Sequence, residues 1–244
     1  MMTVWNNEDE EYRNKMMKIV DGETMEWAQK KSREFSKLMS YYRCATMEIE
    51  TKLHVLNEEF SWDKDHNPIS SIRKRIKSLS SIRGKLERRE FPVSIPSIEE
   101  NLNDVAGVRV ICSFPEDVYA IRDALLMQDN LELVEEKDYI KKPKDNGYRS
   151  LHLIVTIPIY LAREKKRMKV EIQIRTIAMD FWASLEHQLR YKKEVFFTEE
   201  MAHELSECSR ISASLDLRME NLRKGVEKQQ IDEEMGLEEN RPLS

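Results

Sequence analysis

Glycine and proline are scarce, 6 and 7 in 244 residues, which excludes a collagen-like, mucin-like or linker protein. No apolar run approaches the roughly 18 consecutive residues that a membrane-spanning helix needs, so no membrane partner is expected. The first ten residues, MMTVWNNEDE, carry neither the basic nor the apolar stretch of a secretory leader, and a cytoplasmic protein is expected. Cysteine is limited to Cys44, Cys112 and Cys208 without any C-x-x-C spacing. Reduced, buried thiols fit that pattern better than a disulfide framework or a zinc site. Charge, by contrast, is plentiful: 40 Lys+Arg against 45 Asp+Glu, a net of −5, with 35% charged and 40% hydrophobic residues. Such a chain forms one large domain or two small ones, helix-rich and long enough to close a hydrophobic core.

The charge is unevenly spread. Between Ile72 and Phe91 stand eight bases (Arg73, Lys74, Arg75, Lys77, Arg83, Lys85, Arg88, Arg89) against Glu87 and Glu90, a net of +6. From Glu194 to Glu239 thirteen acids face five bases, a net of −8. Positive charge concentrated inside an acidic chain points to a focused anion site rather than to a protein that coats DNA, and no DNA partner is expected.

Periodicity predicts a long helix from Glu23 to about Phe60, with Trp27, Leu38, Tyr42, Ile49, Leu53, Leu56 and Phe60 on one side. Asp63 to Pro68 breaks it. Ile69, Ile72, Ile76, Leu79, Ile82 and Leu86, at steps of three and four, predict a second helix, which Pro92 and Pro96 end. Four strands follow in the middle of the chain: Val105 to Phe114, Leu131 to Ile140, Ser150 to Ile157 and Met168 to Arg175, with a helix from Pro115 to Leu126 after the first. Helix resumes over Thr176 to Lys192 and Glu199 to Gln230, and Glu238 to Ser244 reads as a frayed tail. Helices at both ends and hairpin-type strand connections between them predict an α+β fold around a central mixed sheet of about five strands.

Three stretches carry chemistry. In Val170-Glu171-Ile172-Gln173-Ile174-Arg175 the polar residues share one strand face. That is either a solvated face or a nucleotide floor, with the carboxylate for a metal, the amide for a base or ribose, and the guanidinium for phosphate. Asp104 precedes a buried strand, where a turn residue is the plain expectation; joined to Glu171 it would make a Mg²⁺ site. The segment Lys141 to His152 reads as a hairpin turn at Asn146-Gly147. Its three lysines, Arg149 and Tyr148 also suit a nucleobase stacked on the ring with its phosphates held by the cations.

Taken in order, Asp104-Val-Ala-Gly-Val-Arg109-Val, Lys137-Asp-Tyr-Ile, Lys144-Asp-Asn-Gly-Tyr148-Arg-Ser-Leu-His152, Glu171-Ile-Gln-Ile-Arg175-Thr and Ala178 to His187 resemble the synthetase domain of the RelA/SpoT family. Upstream Arg75-Ile-Lys77-Ser, Arg83 and Lys85 continue the match, which covers about residues 40 to 195. No His-Asp dipeptide of the kind in the family's hydrolase domain occurs, so the chain resembles a free-standing small alarmone synthetase of the RelQ/RelP type.

The resemblance implies a nucleotidyltransferase-like sheet and transfer of the β,γ-pyrophosphate of ATP to the ribose 3′-hydroxyl of GDP or GTP, giving (p)ppGpp and AMP; GMP is a further candidate acceptor. It implies Asp104 and Glu171 as catalytic residues and Mg²⁺ ligands, and Arg75, Lys77, Arg83, Lys85 and Arg109 as ATP contacts. Lys137, Lys144, Asn146, Tyr148, His152, Gln173 and Arg175 would bind the guanine nucleotide. Glu135-Glu136-Lys137-Asp138 mixes two patterns found in the family, which leaves open whether one or two metal ions bind. On an ideal helix Arg75 and Lys77 would stand about 200° apart, so both reach one ATP only through long side chains or a local break near Ser78 to Ser81. The implied division is an N-terminal extension (1–22), a synthetase domain (23–195), a C-terminal helical segment (196–237) that is a candidate oligomer interface, and a tail (238–244). A homotetramer is expected, with (p)ppGpp or single-stranded RNA as candidate regulators. Two other readings stand beside this one: a pyrophosphokinase acting on tRNA 3′ ends, which the acidic C-terminal stretch disfavours, and a non-catalytic RNA-binding regulator, which the presence of Asp104 and Glu171 disfavours.

Overall fold

The computed structural model describes residues 22–63, 67–191 and 197–239. Six helices and five strands follow in the order α1 (Gly22–Asp63), β1 (Ile69–Ile76), α2 (Leu79–Arg88), α3 (Ile95–Asn101), β2 (Ala106–Cys112), α4 (Pro115–Leu126), β3 (Glu132–Asp138), β4 (Leu151–Tyr160), β5 (Lys165–Thr176), α5 (Ile177–Tyr191) and α6 (Glu199–Glu239). All but residue 22 of the expected N-terminal extension, the side chain of Trp27, and residues 64–66, 192–196 and 240–244 lie outside what is described. Helix α6 runs to Glu239, past the expected end at Gln230 and two residues into the expected tail.

The strands form one mixed sheet in the order β1-β2-β5-β4-β3. Only β2 and β5 run parallel; the other three pairings are antiparallel. The α+β expectation with a mixed five-stranded sheet is met. One sheet face is apolar. Val108, Val110, Leu153, Val155, Val170, Ile172 and Ile174 pack there against Tyr42, Ile49 and Leu53 of α1 and Val118, Ile121 and Leu125 of α4. In α1 the buried side chains recur at 38, 42, 45, 49, 53 and 56, a stripe of threes and fours that lays one helix face along the sheet. Truncating one of the fully buried leucines, such as Leu53, to Ala would cost about 2–5 kcal/mol. No helix of the described residues is long and apolar enough to cross a membrane.

Two expectations are corrected here. Residues 69–76 form strand β1, not the first half of a helix. The reason is a bulge: Ile69 stands opposite Cys112 but Ser71 opposite Ile111, so the register shifts between them. The extra residue puts Ile69 on the same face as Ile72 and Ile76, and the resulting three-then-four spacing imitates a helical period. The true helix α2 starts after Ser78, whose Oγ accepts from Ser81 N at 3.3 Å, a capping contact that ends the strand and opens the helix. The second correction is Pro96, which does not stop a helix. It sits in the first turn of α3 behind the cap Ser94, where a missing N–H costs nothing.

Candidate active site

Strand register aligns the polar side chains in rows. Arg73 stands opposite Arg109, Arg109 opposite Gln173, Gln173 opposite His152, and His152 opposite Lys137. One row therefore crosses all five strands on the face away from the apolar core. The neighbouring row runs Arg75, Gly107, Glu171. With a period of two, Arg73, Arg75 and Lys77 lie on one side of the chain, so the angular separation expected of a helix does not arise. Arg73, Arg75, Gly107, Arg109 and Gln173 line a cleft of about 160 Å³. A Cβ on Gly107 would lie 3.7 Å from the Arg75 carbonyl oxygen and 3.9 Å from that of Glu171; its absence keeps the middle of this floor clear.

The two carboxylates are held differently. Lys77 Nζ and Lys85 Nζ donate to Asp104 Oδ2 at 2.7 and 2.5 Å. Oδ1 of Asp104 is buried and has no hydrogen-bond partner. Burial pushes the Asp104 pKa up, but the two lysines outweigh it and hold the carboxyl below its ordinary 3.8. Glu171 Oε1 lies 3.2 Å from His152 Nδ1, and Oε2 accepts from Gln173 Nε2 at 3.0 Å. Here too burial raises the pKa, as does the charge of Asp104, while His152 and Gln173 bring the net below the ordinary 4.5. Glu171 of β5 and Asp104, in the loop that leads into β2, are thus close enough for the charge of one to act on the other, which sequence alone could not establish. Among the described residues no group of three or more His, Cys, Asp or Glu forms a metal cage. Two carboxylates, one with a buried oxygen lacking any partner, fit Mg²⁺, which takes one or two protein carboxylates and completes its shell with substrate phosphates and water.

Between β3 and β4 lies a loop, residues 139–150, whose turn is closed by Gly147 N donating to Lys144 O at 2.8 Å and Lys144 N to Tyr148 O at 3.1 Å. Asn146-Gly147 is therefore not a two-residue hairpin tip; it sits inside a longer loop docked on α5 and α6. Gly147 has φ +87°, and a Cβ there would meet Ser209 Cβ at 2.7 Å. Ser209 Oγ in turn donates to the Gly147 carbonyl at 2.5 Å. Only glycine satisfies both the left-handed backbone and this close approach. Asn146 donates to Glu186 of α5 at 3.2 Å and accepts from Tyr148 N, so its side chain shapes the loop. The Tyr148 ring packs on Trp182 and Leu205, with Lys144 Nζ 5.0 Å from its centroid. Trp182 Nε1 fastens α5 to α6 by donating to Leu205 O at 2.8 Å.

Of the residues singled out in the sequence, Arg75, Lys77, Lys85, Asp104, Arg109, Lys137, Lys144, Tyr148, His152, Glu171 and Gln173 come to one face or its rim. Arg83 does not join them: it is exposed and donates to Glu87 of its own helix at 2.7 Å. Arg175 is buried beneath the face, 3% exposed, with its guanidinium engaged by protein groups. Sequence reasoning passed over Arg73 and Asp180. The i, i+2 spacing of Arg73, Arg75 and Lys77 was the available signal for Arg73, masked by the isoleucine spacing. Asp180 lies in the segment quoted for the family resemblance but drew no attention of its own.

Comparison with known proteins agrees with this geometry. The family signature described as the region found in RelA / SpoT proteins matches residues 74–195. GTP pyrophosphokinase YwaC of Bacillus subtilis is 42% identical over 186 residues, 76% of this chain and 89% of that protein. GTP pyrophosphokinase YjbM of the same organism is 35% identical over 198 residues, 81% and 92% of the two chains. The crystal structure of B. subtilis small alarmone synthetase 1 bound to its product pppGpp superposes with a TM-score of 0.73 at 34% identity, covering 80% of this chain and 98% of that one. With the family signature over residues 74–195 and this similarity over most of both lengths, the chain whose sheet face is laid out as above belongs to the RelA/SpoT family.

Proposed function

We infer that this GTP pyrophosphokinase uses the polar face of its sheet to transfer the β,γ-pyrophosphate of ATP to the ribose 3′-hydroxyl of GDP or GTP, releasing AMP. The observation that carries the reading is the cross-strand row. Cations cluster at the β1–β2 end, an aromatic ring, an imidazole and an amide gather at the β4–β5 end, and Glu171 lies between them. ATP and GTP together bring about eight negative charges at neutral pH, and the two basic segments are proportionate to that load. Arg73, Arg75 and Arg109 would hold the donor phosphates, with Lys77 and Lys85 beside Asp104. Lys144, Tyr148, His152, Gln173 and Lys137 would hold the acceptor, the base displacing Lys144 from the Tyr148 ring. Pyrophosphoryl transfer asks little covalent chemistry of the protein, which aligns the 3′-hydroxyl with the β-phosphorus and balances charge. Glu171, kept anionic by its low pKa, would accept a hydrogen bond from that hydroxyl and receive its proton as the O–P bond forms.

Asp104 and Glu171 would hold Mg²⁺, which when bound neutralises phosphate charge and polarises the transferred group. Lys77 and Lys85 make Asp104 a poor site for a lone cation; nucleotide phosphates offset that repulsion. Homotetramer assembly is supported by Ile211, Leu215, Leu222 and Val226, apolar residues exposed along α6 of the single chain. The substrates fit a cytoplasmic enzyme.

The direct test incubates the protein with labelled ATP and GDP, GTP or GMP, and in parallel with labelled ATP and tRNA, and resolves the products: AMP and a 3′-pyrophosphorylated guanine nucleotide are expected, and labelled tRNA without a labelled guanine nucleotide would overturn the reading. Arg75→Ala is expected to raise the KM for ATP about ten-fold or more, because hydrogen bonds to charged groups contribute ~1.5–3 kcal/mol, and to leave the KM for GDP unchanged. Equal rises in both constants would show that β1 attracts anions in general.

A further inference from the structure

Asp180 stands where the two halves of the polar face meet. It comes from the first turn of α5 and gathers arginines from three strands. Arg109 Nη1 of β2 and Arg175 Nη1 of β5 both lie 3.2 Å from Oδ1, and Arg73 Nη1 of β1 lies 3.8 Å from Oδ2. Arg175, with a side chain only 4% exposed, donates also to Gln173 Oε1 at 2.9 Å, to Ser150 Oγ at 3.2 Å and to Tyr148 Oη. Because Tyr148 Oη accepts from Arg175, its own hydrogen is available to His152 Nε2, 2.8 Å away. That arrangement puts the imidazole hydrogen on Nδ1, facing Glu171 at 3.2 Å. An unbroken polar chain thus links Arg73 and Arg109 through Asp180, Arg175, Tyr148 and His152 to Glu171.

We propose that Asp180 is a positioning residue that joins the donor and acceptor halves of the site: it holds Arg73 and Arg109 where ATP arrives and, through Arg175, fixes Tyr148 and His152 against Glu171. The proposal rests on the assignment of donor and acceptor halves made above. A carboxylate early in a helix stabilises the helix start by its charge alone, but that role needs no arginines. Here three guanidiniums that would otherwise repel one another converge on one partner, and removing its charge leaves the buried Arg175 and the half-buried Arg109 unbalanced. Arg109 already feels the strain: burial and the neighbouring Arg175 lower its pKa, and Asp180 opposes that shift.

Steady-state kinetics on the full chain test the idea. Arg75→Ala, which is expected to raise the KM for ATP alone, tests the underlying assignment of the halves, so its failure is seen there, whereas failure of the proposal is seen only in the Asp180 and Arg175 variants. Asp180→Asn keeps the size and removes the charge. It is expected to fold and to raise the KM for both ATP and GDP about five-fold or more. Arg175→Lys is expected to raise the GDP value alone, and Arg109→Ala the ATP value alone. In the double variant Asp180→Asn/Arg175→Lys, the rise in GDP KM is expected to fall short of the product of the single effects, since both cut one chain of contacts. A lowered melting temperature with both KM values unchanged would leave Asp180 a structural acid and overturn the proposal, as would strictly multiplicative effects. Should Asp180→Asn not fold, Arg175→Lys decides: an unchanged GDP KM in a folded protein overturns it.

Discussion

Glu171→Gln is expected to give a folded chain whose kcat is lower by about 10²–10⁴-fold, the usual contribution of a positioned general base. The amide is the same size, but it carries no charge for a metal and no basicity for the 3′-hydroxyl. Its surroundings sharpen the expectation. Oε1 faces His152 Nδ1 and Oε2 accepts from Gln173 Nε2, so a glutamine must turn its NH₂ toward one donor or the other. Gln173 cannot easily flip to relieve this, because its Oε1 accepts from Arg175. One unsatisfied contact costs about 1–3 kcal/mol, a drop of several degrees in Tm for a chain of this size, and not unfolding. Circular dichroism melts alongside product assays check both halves; more than a tenth of wild-type kcat remaining would remove Glu171 from the chemistry. The pH response has a defined sign. Asp104 and Glu171 both titrate below their ordinary values of 3.8 and 4.5. The stability they contribute is fully present above those values and is lost as pH falls through the lower, folded-state values. An acid limb of kcat/KM arising from Glu171 in the free chain therefore lies below pH 4.5.

Tyr148→Ala is expected to raise the KM for GDP about five- to 150-fold, the equivalent of ~1–3 kcal/mol for a base stacked on an aromatic ring, and to leave that for ATP nearly unchanged. The same truncation strips a ring from the cluster with Trp182 and Leu205, so some stability is lost as well, and affinities must be measured on the folded fraction. Tyr148→Phe separates ring from hydroxyl. The ring face survives, while the contacts of Oη with Arg175 and His152 are gone. Its GDP KM is expected to rise less than that of Tyr148→Ala, because only the chain of contacts through Oη is cut, and its kcat to fall, since His152 loses the partner that orients it toward Glu171. Unchanged GDP affinity in a folded Tyr148→Ala protein would make the ring a packing element only.

Much of this site was legible in the sequence because strands advertise their faces. Val170, Ile172 and Ile174 alternate with Glu171, Gln173 and Arg175, and the structure puts the two sets on opposite sides of β5. Helix α4 begins and ends at the expected residues, Pro115 and Leu126; its first-turn proline marks a helix start as expected, whereas Pro96, also in a first turn, on α3, was expected to stop one. What stayed hidden was whatever depends on register or on distant partners. The bulge between Ile69 and Ser71 makes a strand spell a helical period, and no local property reveals it. Arg175 was expected to reach for phosphate; that it lies buried under Tyr148 follows from α5 folding back to present Asp180, a contact only the assembled chain contains. Arg83 and Lys85 look equivalent in the sequence. Two positions apart on α2 they point in widely different directions, and only Lys85 meets Asp104.

The contact between Ser209 and Gly147 spans 62 positions, and its consequence lies in the order of events during synthesis. Every strand, and the basic stretch of β1 and α2, leaves the ribosome before α6 does. The sheet and its cationic end can pair from residues already made, but the turn that presents Tyr148 leans on a helix that is translated last. The half of the face proposed to recognise guanine is therefore completed after the half proposed to receive ATP, and a nascent or C-terminally clipped chain would carry an assembled cationic end beside a Tyr148 loop without its brace.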